Sequence, residues 1–188
     1  MTDAGTATSG TTGIAQLVAD HVVDVPDFPR PGILFKDLTP LFGDGAALRA
    51  CADAVAASAG ADFDLVAGIE ARGFIVAAAV GYATGRGVVP VRKAGKLPGP
   101  TTAITYELEY GTATLEIPQR SGVDGRRVLL VDDVLATGGT VVAAAELLSR
   151  GGGSLVGVSV VLELAALTGR KRIAATHSSL PVHALLSV

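Results

Sequence analysis

Val128-Leu129-Leu130-Val131-Asp132-Asp133-Val134-Leu135-Ala136-Thr137-Gly138-Gly139-Thr140 is the stretch on which the fold turns. Its four leading apolar residues lack the period-two alternation of a half-exposed strand and are flanked by turn formers. They read as a strand covered on both faces. The strand ends in two adjacent carboxylates. Thr137, Gly138, Gly139 and Thr140 then crowd backbone N–H groups together without bulky side chains, where the apolar pattern of Val141, Val142, Ala145, Leu147 and Leu148 begins a helix. Unpaired N–H groups at a helix N-terminus, aided by the macrodipole, favour a phosphate. The dipole alone contributes about 0.3–2 kcal/mol, so affinity must come from several hydrogen bonds converging on one anion.

Two familiar phosphate loops do not fit. A Walker loop needs Lys and then Ser or Thr after its second glycine, but Gly139 is followed directly by Thr140. A dinucleotide fingerprint needs G-x-G-x-x-G, and only the pair Gly138-Gly139 is present. The stretch resembles instead the 5-phosphoribosyl pyrophosphate (PRPP) motif of the type I phosphoribosyltransferases. That resemblance implies ribose hydroxyls beside Asp132 and Asp133, and the 5′-phosphate on Ala136, Thr137, Gly138, Gly139 and Thr140.

Strands and helices alternate around this unit. A strand over Phe63 to Ile69 leads to a helix from Gly73 to Thr84 closed by Gly85; further strands cover Val88 to Arg92 and Leu155 to Leu162, and a helix runs to Arg150. Such alternation with short Gly-rich connections predicts an α/β fold, a mostly parallel sheet with helices on both faces and ligands beyond the strand ends. Asp44 caps a helix from Gly45 to about Ala59, with Gly60 as its left-handed end. Earlier, Ile14, Leu17, Val18 and Val22 mark an amphipathic helix that Pro26, Pro29 and Pro31 stop near Asp24, leaving a rigid loop. Residues 1–13, rich in Thr, Gly and Ala, read as a disordered tail, with a single domain over 14–188. Between Ala94 and Val123 the alternation breaks. Ile104, Tyr106 and Leu108, then Ala113, Leu115 and Ile117, recur at period two around Gly111-Thr112, which predicts a β-hairpin placed as a lid.

Composition narrows the function. The net charge of −3 and the lack of any basic run longer than Arg170-Lys171-Arg172, itself read as a solvated helix end, argue against nucleic acid or a membrane surface as partner. The apolar stretch from Gly73 to Ala83 is far short of the roughly 20 residues that cross a bilayer. The single Cys51, set among Leu48, Ala52, Val55 and Ala59 at helical spacing, reads as a core residue; one cysteine precludes an intramolecular disulfide and agrees with a reducing cytoplasm. His21, His177 and His183 show no metal-ligand spacing.

Further motifs occur in order along the chain: Phe28-Pro29-Arg30-Pro31-Gly32-Ile33-Leu34-Phe35-Lys36-Asp37, Glu70-Ala71-Arg72-Gly73, Arg92-Lys93-Ala94-Gly95-Lys96, Tyr106-Glu107-Leu108-Glu109-Tyr110-Gly111 and Leu162-Glu163-Leu164. Together they resemble the adenine phosphoribosyltransferases from about Val22 onward. The resemblance implies the type I fold with a small N-terminal hood, and pyrophosphate against Arg72, Arg92 and Lys96. It also implies a cis peptide at Glu70–Ala71, and Glu109 as proton carrier with Tyr110 beside it. Adenine would lie between Phe35 and Leu164, with the backbone at Leu34 reading its amino edge. Lys36 stands where the family often has Arg, and a point charge does not replace a planar fork. Transferases for 6-oxopurines carry an acid and a Lys in the phosphate loop, where this chain has Ala136 and Gly139. The implied reaction joins adenine and PRPP to give AMP and pyrophosphate, with Mg²⁺ held mainly by PRPP and water and no dedicated protein metal site. A cytoplasmic homodimer is implied as well. A PRPP-sensing regulator, a Mg²⁺-dependent receiver or phosphatase domain around Asp132-Asp133, and a transferase for another base remain the alternatives.

Overall fold

Period-two and helical spacing resolve, in a computed structural model of the protein, into nine strands and six helices among residues 9–60, 62–107 and 111–188, the residues the structure describes. Segment 1–8 of the expected tail, and the hairpin tip with Glu109 and Tyr110, lie outside them. Helix α1 (Ser9–His21) starts inside the stretch read as a tail. Once Ile14, Leu17 and Val18 are packed, each added turn costs little, because helix propagation is far easier than nucleation.

The main sheet has the order β5-β6-β4-β3-β7-β8-β9, built from β3 (Leu65–Ile69), β4 (Gly87–Lys93), β5 (Thr101–Glu107), β6 (Thr112–Pro118), β7 (Arg127–Leu135), β8 (Ser154–Glu163) and β9 (Val182–Ser187). Strands β4, β3, β7, β8 and β9 are mutually parallel. The predicted hairpin β5–β6 is antiparallel and joins β4 through Arg92↔Glu116 and Lys93↔Leu115. The run Val128 to Val131 is wholly buried because two cores share it. Val128 and Leu130 face one that contains α5 (Gly139–Arg150), while Leu129 and Val131 face the other, with α3 (Gly45–Ser58) and α4 (Gly73–Thr84). At about 1.5–3 kcal/mol for each fully buried aliphatic side chain, this strand anchors both layers.

Local signals placed the helix ends. Asp44 Oδ1 accepts from the amides of Ala46 and Ala47 at 2.8 and 3.0 Å, capping α3, and Gly85 closes α4 in the left-handed region. Further features differ from the sequence reading. Strand β7 runs on to Leu135, since β8 still pairs with it at Val134↔Leu162 and Leu135↔Glu163; the acid pair thus lies within the strand. The Pro-rich loop folds as a second antiparallel sheet, β1 (Val23–Pro26) with β2 (Leu34–Asp37), which forms the hood; Pro26 is tolerated as the last residue of an edge strand. The basic run Arg170-Lys171-Arg172 opens α6 (Gly169–Thr176), where Arg170 contacts the nearly buried Glu163 at 2.6 Å.

Candidate active site

Strand β7 delivers Asp132 and Asp133 to the C-terminal edge of the sheet, and the chain then turns through Ala136 to Gly138 into α5. Gly138 holds φ +78° at the head of that helix, a conformation that favours glycine. A small cleft of about 80 Å³ is lined by Asp132, Val134 and the whole of Ala136 to Thr140. The loop is braced from below by the start of α6. A Cβ on Gly138 would stand 2.7 Å from the Gly169 carbonyl oxygen, and one on Gly169 would collide with the Ala136 carbonyl. From above, Tyr106 Oη of the hairpin lies 3.4 Å from Thr140 Oγ1.

The two acids are not equivalent. Asp132 Oδ1 accepts from the Asp133 amide at 2.9 Å and lies beneath the first residue of α4, so that a Cβ on Gly73 would come within 2.8 Å of it. Burial, and then the neighbouring charge of Asp133, hold the Asp132 carboxyl well above the usual carboxylate range. Asp133 is 6% exposed, with Arg72 Nε 2.7 Å from its Oδ2. That oxygen accepts no well-aligned hydrogen bond, so the contact is one of charge. Arg72 therefore pairs with Asp133, and the partner of Glu70 is Arg92.

Arg92 Nε lies 3.2 Å from Glu70 Oε2, which also accepts from the Lys93 amide at 3.0 Å. Burial works to raise the Glu70 pKa, but these bonds and the nearby cations outweigh it and hold the carboxyl below its ordinary value. Arg92 Nη1 donates to the Lys96 carbonyl at 3.0 Å, fixing the turn that carries the exposed Lys96. The Glu70–Ala71 peptide is cis.

The hood reaches the same place through Phe35, whose ring carries the Arg72 guanidinium 5.1 Å above its centre and meets Phe28 edge-on at 5.1 Å. Leu34 beside it is half exposed, and Leu164 lies across the sheet edge with its amide on the Leu135 carbonyl at 2.9 Å. Side chains alternate along a strand. Lys36 accordingly points away from Phe35, and its Nζ lies 2.7 and 2.9 Å from the Asp24 carboxylate oxygens. The contacts link Phe35, Arg72 and Asp133 in one line, with Glu70 beside Arg72 at the end of β3 and Arg92 on the neighbouring β4. Sequence reading missed Tyr106 as a neighbour of the Ala136–Thr140 loop; its place in a period-two run predicted a buried face but not which helix it meets.

A parallel sheet with an acid pair, a glycine-rich helix start and cations at adjoining strand ends defines a phosphoribosyltransferase, and the family described as "Phosphoribosyl transferase domain" matches residues 45–182. An adenine phosphoribosyltransferase of Salinispora tropica is 58% identical over 175 residues, covering 93% of this chain and 91% of its own. The crystal structure of adenine phosphoribosyltransferase from Rhodothermus marinus superposes with a TM-score of 0.87 at 42% identity, over 94% of this chain and 99% of that one. That from Saccharomyces cerevisiae, complexed with adenine and an imino-altritol bisphosphate, gives 0.84 at 37% identity, over 93% and 99%. The chain belongs to the adenine phosphoribosyltransferase family, and its fold is the type I fold.

Proposed function

We propose that the site transfers the 5-phosphoribosyl group of PRPP to N9 of adenine, releasing AMP and pyrophosphate in purine salvage. The observation that supports it is the continuous line of contacts from Phe35 through Arg72 to Asp133, which brings an aromatic ring close to the acid pair and the Ala136–Thr140 cleft. In this reading the amides of Ala136 to Thr140, with the Thr140 hydroxyl, take the 5′-phosphate, while Asp132 and Asp133 accept from the ribose hydroxyls. Arg72, Arg92 and Lys96 neutralise the departing pyrophosphate. As the C1 bond breaks, positive charge grows on the sugar, and electrostatic stabilisation with alignment of N9 carries the catalysis.

Phe35 and Leu164 enclose the base and the Leu34 backbone reads its amino edge; Lys36, its ammonium held by Asp24, enters only through its place in the strand. Glu109, with Tyr110 beside it, handles the proton of the base. The donor chemistry also fits a hard cation. The acid pair offers carboxylate oxygens, although Asp133 Oδ2 already faces Arg72 at 2.7 Å. Magnesium, when bound, would be held mainly by PRPP and water, with Asp132 and Asp133 the nearest protein carboxylates, and would supply positive charge to the departing pyrophosphate.

Among the described residues no helix is long and apolar enough to cross a membrane. We place the protein in the cytoplasm on the free, buried thiol of Cys51. Pyrophosphate release from PRPP, measured with adenine, hypoxanthine, guanine, xanthine and orotate in turn, tests the reaction. Turnover is expected with adenine alone among the five, and Glu109→Ala lowers it by about 10²–10⁴, the share of one acid–base group. Turnover with another base, or none at all, rejects the assignment; an unchanged kcat in the variant rejects Glu109 alone.

A further inference from the structure

Arg172, in the first turn of α6, is not among the cations that face the pyrophosphate. The carbon and both terminal nitrogens of its guanidinium stand 3.0 to 3.5 Å from the point a Cβ would occupy on Gly139, so the cation is laid flat against the first residue of α5. Its side chain is exposed, and among the described residues no carboxylate pairs with it; Arg170, two positions earlier, takes Glu163. The same spot receives the N-termini of two helices, because Gly169 at the head of α6 touches Gly138 at the head of α5. A cation at the positive end of a helix is unfavourable by itself, and at two converging ends more so. This placement becomes favourable when a multiply charged anion occupies the loop.

We propose that Arg172 is a specificity-determining residue for the 5′-phosphate, acting across Gly139 to favour a phosphorylated pentose over a neutral one. The inference rests on the loop being the 5′-phosphate seat. A Cβ on Gly139 would push the guanidinium back by a few tenths of an ångström, so the glycine lets Arg172 lie close to the helix start. The effect is one of charge, so it is largest at low ionic strength, where screening is weak.

The test is calorimetric titration of the whole protein with ribose 5-phosphate and, separately, with pyrophosphate and Mg²⁺, alongside steady-state kinetics. Arg172→Met is expected to weaken ribose 5-phosphate and raise KM for PRPP about tenfold, as loss of a charge-assisted partner would. Pyrophosphate affinity and KM for adenine should stay within about twofold, and Arg172→Lys should recover most of the loss. Unchanged ribose 5-phosphate affinity in the methionine variant overturns the proposal, as does an equal weakening of both ligands with a lowered melting temperature, which would mark Arg172 as a packing residue. If the wild type itself fails to bind ribose 5-phosphate, the loop reading falls and takes the proposal with it.

Discussion

Asp132 is a carboxyl that folding makes less acidic, through burial first and the charge of Asp133 second. A group whose pKa rises on folding binds its proton more tightly in the native state, so its contribution to stability is present at low pH and is lost as pH climbs through the native value. Above that value Asp132 is a cost. Asp132→Asn, which keeps the acceptor for the Asp133 amide, should therefore melt a few degrees higher than wild type at pH 7, at about 2–4 °C per kcal/mol for a chain of this size. The gain should shrink toward pH 4, while PRPP affinity falls for want of the second carboxyl oxygen. Melting curves across that range check it, and a gain independent of pH would refute the electrostatic cause. Asp132 and Asp133 were legible as a pair, because two acids closing an apolar run have no packing role to play there and point to a ligand beyond the strand. Their inequality was not, since it depends on Gly73 and Arg72, contributed by another strand end.

Secondary structure elements were legible where the signal is local. The Asp44 cap, the Gly85 stop and the period-two runs of the hairpin each lie in a few consecutive residues, and each element formed where they predicted. What sequence did not show was built by partners. Strand β1 ends in Pro26 and exists because β2 pairs with all four of its residues, and β9 exists because β8 offers an open edge. The Ala136–Thr140 loop is of this second kind in its shape, for it rests on Gly169. Gly138→Ala tests that dependence. Both Gly138 and Gly60 have positive φ, but only Gly138 faces backbone within 4 Å. Gly60→Ala should lower stability by about 1–2 kcal/mol, the left-handed penalty alone. Gly138→Ala should cost more and weaken PRPP binding over tenfold; denaturant unfolding with PRPP titration measures both, and equal effects would contradict the bracing.

Helix α4 carries no charged side chain over its twelve residues, although Ile75 and Tyr82, one above the other on its outer side, are 41% and 92% exposed. A helix apolar on all sides belongs in an interior, and in the homodimer that the family resemblance implies this is the face a second copy would cover. Tyr82→Glu should convert the protein to monomer in analytical ultracentrifugation, and a variant that sediments like wild type would move the interface elsewhere. The hairpin has a different bearing on the molecule. It is rooted on β4 at Arg92 and Lys93 and touches Thr140 through Tyr106, whose partner Ala113 sits three residues along β6 from Glu116, opposite Arg92. At roughly 3.3 Å per residue, those two contacts are about 10 Å apart. On the proposed reading, in which Arg92 faces pyrophosphate and Thr140 the 5′-phosphate, the hairpin gauges the distance between the two ends of PRPP, and a sugar with its phosphates at another spacing would reach only one of them.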